Sequence, residues 1–206
     1  MIVSEAVEKN LPLVFGINNY LILFIIAVAI WISSEVVGGR IVPSLRRGGS
    51  KVEQRKAGLN VIGAIGWSAF VNISIALAAL RVGLLPSWAY FIGIAILLTG
   101  VAIRQWAVAV LGRYFSNVIG IQANQKVVQS GPYRFVRHPS YTGILLIQIG
   151  IALTLQSWAA VLAAGAIFGL TYGHRMLSEE KFLVRELGND YVQYMSRTKR
   201  IIPFLI

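Results

Sequence analysis

Five stretches of this chain are apolar over roughly the length needed to cross a bilayer, and nothing else in it constrains the fold as much. About 20 apolar residues span the hydrocarbon core as a helix, and inside it every backbone polar group must be satisfied within the protein. The stretches are Ile17–Val37, Leu59–Leu80, Trp88–Leu111, Tyr141–Gln156 and Trp158–Leu177. The fourth is short and is expected to begin inside the interfacial layer. With 56% hydrophobic and 13% charged residues, the chain lies far from the make-up of an average soluble domain. The expected fold is an all-α integral membrane protein of about five transmembrane helices. It forms a single membrane domain, with helices one to three in residues 1–112 and a connector, helices four and five and a C-terminal helical segment in 113–206.

The net charge of +11 invites a nucleic-acid reading, and its placement argues against one. Residues 40–56 hold Arg40, Arg46, Arg47, Lys51, Arg55 and Lys56. Residues 113–139 hold Arg113, Lys126, Arg134 and Arg137, and six more basic residues follow from Arg175. The other side carries only Lys9 and Arg81. Basic residues gathered on alternate connections follow the positive-inside rule, which with five spans puts the N-terminus outside and the C-terminus in the cytoplasm of the cell (inner) membrane. The chain has no cysteine, and its two histidines, His138 and His174, lack paired-ligand spacing, so neither a disulfide nor a metal site is expected. Glu5, Glu8 and Lys9 do not make the basic start of a signal peptide, so the first apolar stretch is expected to be a retained span.

Gly38-Gly39 and Arg46-Arg-Gly-Gly-Ser50 mark a polar loop. Ser87 is placed as an N-cap for helix three. Trp88, Tyr90, Trp106, Trp158 and Tyr172 fall near span ends, where interfacial aromatics are expected. Arg104 reads either as an arginine snorkelling to the interface or as one lining a polar cavity; Glu35, near the inner end of helix one, takes no role. Val118–Ile121 and Lys126–Val128 are expected to be short extended pieces over one end of the bundle. Beyond Leu177 the helical pattern persists for about ten residues, with Phe182, Leu183 and Leu187 on one side and Gly188 as C-cap. A short amphipathic helix, Asp190 to Ser196, then leads to the apolar Ile201–Ile206, which should dock back on the bundle.

Two polar clusters interrupt this apolar background. The first is Gly131-Pro-Tyr-Arg-Phe-Val-Arg-His-Pro-Ser-Tyr-Thr-Gly143; the second is Arg175 with Glu179 and Glu180. Ionisable groups are costly at membrane depth, and their clustering marks a functional site by default. Arg175 and Glu179, four apart, share a helix face, and Glu180 is turned about 100° from Glu179. An intrahelical ion pair explains the second cluster equally well, and Pro139 fits the first turn of helix four without any function.

Residues 126–206 resemble the membrane methyltransferases of the isoprenylcysteine carboxyl methyltransferase family. The likeness runs through Lys126-Val-Val128, Gly131-Pro-Tyr-Arg134, Val136-Arg-His-Pro139, Tyr141 and Gly143. It continues through Arg175, Glu179-Glu180, Leu183, Leu187-Gly188, Tyr191, Tyr194 and Ile202-Pro203. The resemblance implies a methyltransferase binding S-adenosyl-L-methionine at the cytoplasmic face, between the connector and the C-terminal segment. It implies that Val127 and Val128 offer backbone groups to the adenine, and that His138 and Tyr141 contact the methionine part or ribose. Tyr133, Arg137 and Tyr191 join the cofactor-binding set. Glu179 or Glu180 binds the cofactor or takes part in catalysis, and Arg175 sits at the acceptor end. Leu187, where the family often has an aromatic, should affect packing only, and Gln125 stands where some members have histidine.

The chemistry implied is methyl transfer to a lipophilic acceptor, most simply the carboxylate of an isoprenylcysteine. A carboxylate is already ionised at neutral pH, so an arginine that orients it suffices. An amine acceptor, as in a phospholipid N-methyltransferase, would need a proton sink, for which Glu179, Glu180 and His138 stand available. A membrane steroid or sterol reductase using NADPH shares an Arg-His-Pro-x-Tyr element but usually carries Asn where this chain has Ser140. The partners expected are membrane lipids and a lipid or prenylated acceptor, without nucleic acid or metal.

Overall fold

The computed structural model describes residues 19–38, 58–115 and 125–202. The 40–56 loop, the expected extended piece at 118–121 and the tail beyond 202 lie outside the described residues. Among the described residues six α-helices follow in order: α1 Asn19–Val36, α2 Gly58–Ala79, α3 Trp88–Leu111, α4 Pro139–Thr154, α5 Trp158–Leu187 and α6 Asn189–Arg197. The protein is an all-α, multi-pass membrane protein. Among the described residues three helices are long and apolar enough to cross a membrane, with windows Asn19–Val36, Ile62–Ala79 and Trp88–Tyr114. α4 is apolar but only 16 residues long, and α5 runs 30 residues from an apolar first half into a charged second half.

The helix limits follow local chemistry. Pro139 sits in the first turn of α4, where its missing N–H costs nothing, so the helix starts two residues before the expected Tyr141. Ser157 caps α5 by accepting from Ala160 N at 3.2 Å. Ser87 precedes α3 in helical conformation and makes no side-chain cap, contrary to the expectation. α5 ends at Gly188, whose φ of +59° suits a residue without Cβ.

α3 and α4 pack most closely, and glycines allow it. A Cβ added at Gly100 would stand 2.7 Å from Gly143 O, and one at Gly150 would stand 2.5 Å from Leu97 N. Because the atoms met are backbone, no side chain can move aside. Small residues give membrane helices their packing, since lipid supplies no hydrophobic drive between them. Along α3 the buried residues run Tyr90, Gly93–Ile94, Leu97, Gly100–Val101, Arg104, Ala107–Val108, so Arg104 occupies a core position. α1 packs on α3 and α2 on α5, and Trp31 stacks on Trp67 at 4.8 Å between ring centroids. At the end away from the charges, Ser157 Oγ donates to Val82 O at 2.7 Å and Leu85 N to Gln156 O at 2.8 Å, tying two turns together.

The aromatic expectation holds in part. Trp88, Trp106 and Trp158 are exposed at the surface of the bundle, as interfacial anchors are. Tyr90 and Tyr172 are buried, the first against Tyr20 with its hydroxyl on Tyr20 O at 2.7 Å.

The seam makes a prediction. Gly100→Ala or Gly150→Ala should cost about 1–3 kcal/mol, the scale of overpacking, read as a lower thermal midpoint in detergent. Gly165→Ala, where a Cβ meets nothing within 4 Å, should leave stability unchanged or raise it.

Candidate active site

A cavity of about 480 Å³ lies where the charged end of α5 meets the connector before α4. Trp67, Ile144 and Tyr172 give it apolar walls from three helices, and Arg104, Ser140, Tyr141, Arg175 and Glu179 bring polar groups. Residues 125–129 cross it without helix or strand. The 3₁₀ turn Gly131–Arg134 and Tyr191 and Tyr194 of α6 complete the wall.

The structure brings nearly all the residues singled out from sequence to one place. Val127, Val128, Tyr133, Arg137, His138, Tyr141, Arg175, Glu179 and Tyr191 all line the cavity. Tyr141 links two of them: Arg175 Nε donates to its hydroxyl at 2.7 Å, and the hydroxyl donates to Glu179 Oε2 at 2.9 Å. The expected helix-face pair of Arg175 and Glu179 is thus joined through a tyrosine from another helix.

Glu180 does not line the cavity. The buried stripe of α5 runs Ala160, Ala164, Phe168, Tyr172, Met176, Glu180, a step of four that carries the core face out of the apolar half and ends on a carboxylate. There Glu180, 4% exposed, accepts from Arg137 Nε at 2.9 Å and Arg200 Nε at 3.1 Å, and lies 3.3 Å from His138 Nε2. Burial alone pushes its pKa up, yet the hydrogen bonds from His138 and Arg137 and their charge hold it at about 2. Arg137 also donates to the carbonyls of Met195 and Thr198.

The C-terminal strap is anchored on the same segment. Arg137 N donates to Lys199 O at 2.7 Å, His138 N to Arg200 O at 2.9 Å and Thr142 Oγ1 to Ile201 O at 2.7 Å. Ile201 packs against the cluster of Ile144, Phe168, Tyr172 and Met176, and the part of the expected docking segment beyond 202 lies outside the described residues. Tyr194 donates to Tyr133 O at 2.7 Å, holding α6 to the 3₁₀ turn. Burial pushes the Tyr194 phenol up to about 12, and burial followed by the Glu179 charge raises Tyr133 and Tyr191 further. All three remain protonated hydrogen-bond donors at neutral pH.

Sequence reading left Arg104 between two roles, and the structure decides: it lines the cavity, held by Glu35 and by Ser140. Its place in the buried stripe of α3 is the signal that pointed there. Leu187 and Gln125, given minor parts above, also line the cavity.

These features define a class: a multi-pass, all-α membrane protein whose polar cavity is built where its helices leave the apolar layer. Residues 92–185 match the model of the isoprenylcysteine carboxyl methyltransferase (ICMT) family. It is 29% identical over 120 residues to protein-S-isoprenylcysteine O-methyltransferase B of Arabidopsis thaliana, covering 57% of this chain and 61% of that protein. The Schizosaccharomyces pombe protein-S-isoprenylcysteine O-methyltransferase is 29% identical over 108 residues, 52% of this chain and 46% of its own length. The chain thus spans about half to three fifths of these relatives. Its fold is similar to the solved structure of the eukaryotic intramembrane Ras methyltransferase ICMT, with a TM-score of 0.55 at 23% identity over 73% of this chain and 55% of that one.

The Glu180 hub gives a pH prediction. A carboxyl held at about 2 against an ordinary 4.5 contributes stability that is present above pH 4.5 and lost as pH falls toward 2. At pH 7 Glu180→Gln should cost on the order of 3 kcal/mol by leaving Arg137 buried without its partner. In thermal melts from pH 7 to 3, the gap between wild type and variant should narrow as the medium is acidified.

Proposed function

We propose that the protein is an S-adenosyl-L-methionine-dependent membrane methyltransferase that esterifies a lipophilic carboxylate, of which an isoprenylcysteine is the simplest example. The observation that carries this is the composition of the cavity: three guanidiniums, Arg104, Arg137 and Arg175, and the carboxylate of Glu179, beside an apolar wall of Trp67, Ile144 and Tyr172. The family-model match over residues 92–185 and the names of the relatives support the same reading.

The residues present fit the cofactor. Val127 and Val128 run past the cavity outside any helix or strand, so their peptide groups are free of a ladder and suited to an adenine edge. Tyr133, Arg137, His138 and Tyr191 surround the same space and would hold the ribose and methionine parts. Glu179 supplies the negative charge that a cationic ligand needs. Bound there, S-adenosyl-L-methionine supplies an electrophilic methyl group on a cationic sulfur.

The chain's own part is positioning and electrostatics. Arg175, oriented through Tyr141, would fix the acceptor carboxylate so that one oxygen faces the methyl carbon. Tyr141 and Glu179, joined to Arg175 by hydrogen bonds, would keep that guanidinium in place beside the space the methyl donor would occupy. The acceptor is ionised beforehand, so no base is required, and Tyr141 and Glu179 serve as orienters. The apolar wall accommodates a lipid chain and keeps water from the reacting atoms. The charge asymmetry supports a site on the cytoplasmic face of the cell (inner) membrane, with the N-terminus outside.

S-adenosylhomocysteine should therefore bind and raise the thermal midpoint, as a ligand of the native state does; a response to NADPH and none to S-adenosylhomocysteine would sink the reading. Arg175→Lys keeps charge but loses the planar fork, and should lower turnover on the order of 100-fold while leaving cofactor affinity nearly unchanged. Single cysteines at Ser196 and Ser87 should label from opposite faces of the membrane, the first from the cytoplasm.

A further inference from the structure

The geometry points to Glu35, on α1 and outside the family-matched segment, as a positioning residue for the acceptor: it holds Arg104 with its remaining N–H groups turned into the cavity. This rests on the reading that the cavity takes an anionic acceptor. Arg104 comes from a core position of α3 and is 8% exposed. A long cationic side chain near the end of a membrane helix ordinarily extends toward the polar interface. Here it is caught instead. Nη2 donates to Glu35 Oε2 at 2.8 Å, Nε donates to Oε1, and Nη1 donates to Ser140 Oγ at 2.5 Å.

A guanidinium has five N–H donors in a fixed fork. These bonds use three of them and engage the side-on edge with a bidentate carboxylate, the more directional kind of ion pair. One donor each on Nη1 and Nη2 is not used by these bonds, on a residue that lines the cavity, and a guanidinium's fork suits a carboxylate. The stem has room because Gly143 faces it: a Cβ there would stand 2.6 Å from Arg104 Cβ. Glu35 itself does not line the cavity, so it acts through Arg104.

A purely structural role for Glu35 would be to fasten α1, whose sole buried residue is Ala27. Two other bonds already tie α1 to α3: Tyr90 to Tyr20 O at 2.7 Å and Gln105 Nε2 to Ser34 Oγ at 3.1 Å. They provide the control. Tyr90→Phe loosens α1 without touching Arg104, whereas Glu35→Gln and Glu35→Asp release Arg104, the second with its charge kept.

The test is direct binding of S-farnesylcysteine with a free carboxylate and of its methyl ester to the purified full chain, so it depends on neither turnover nor cofactor. Wild type should prefer the carboxylate by about 10-fold, the scale of a hydrogen bond to a charged group. Glu35→Gln and Glu35→Asp should bring the two ligands to near parity. Tyr90→Phe should lower the thermal midpoint and keep the preference. A charge-only role for Glu35 makes the opposite forecast, because removing a negative group beside Arg104 would tighten carboxylate binding. Retained or increased preference in Glu35→Gln would overturn the proposal, and so would a wild type that does not distinguish acid from ester. If Glu35→Gln does not fold, Glu35→Asp carries the comparison. Failure of S-adenosylhomocysteine to bind would count against the methyltransferase reading alone and leave the acid–ester comparison readable.

Discussion

The polar half of the molecule depends on one buried carboxylate. Glu180 lies where the core face of α5 leaves the apolar layer, and a charge at such a depth is tolerable only when paired and hydrogen-bonded. Its partners come from two separate segments: Arg137 and His138 ahead of α4, and Arg200 from the strap. Arg137 in turn binds the carbonyls of Met195 and Thr198. A single charge therefore sets the position of the connector, α6 and the tail against α5. The cavity's walls are fixed by a group that does not face it.

The apolar half reaches the same end by close packing. Glycines let α3 and α4 approach until backbone meets backbone, and that approach brings Arg104 within reach of Ser140. A site assembled this way has a polar side, formed by the connector and α6, and an apolar side, formed by Trp67, Ile144 and Tyr172. The chemistry proposed for it needs both, since one reactant is water-soluble and the other partitions into the bilayer.

The first three spans were legible in the sequence because long apolar stretches leave few alternatives, and the two polar clusters stood out because polarity at membrane depth is costly. What stayed ambiguous turned on partners far apart in the chain. Arg104 reads as snorkelling until Glu35, 69 positions away, is brought beside it. Glu179 and Glu180 are adjacent and chemically alike, and only the step of four from Ala160 along α5 separates a cavity residue from a core one. Tyr90 and Tyr172 look like interfacial anchors by position along their helices, but the faces they occupy turn inward. Ser87 has the right residue type for a cap, yet its backbone has already entered helical conformation, so its side chain is not placed to accept.

The central claim is that an anionic acceptor and a methyl donor meet between Arg175, Tyr141 and Glu179. Its most direct test is the chemical nature of the product. Purified protein incubated with S-farnesylcysteine and methyl-tritiated S-adenosyl-L-methionine should yield lipid-soluble label that dilute base releases as volatile methanol, the mark of a methyl ester. Label that resists base would mean transfer to nitrogen, and no transfer at all to acceptors of either kind would contradict the assignment of the cavity.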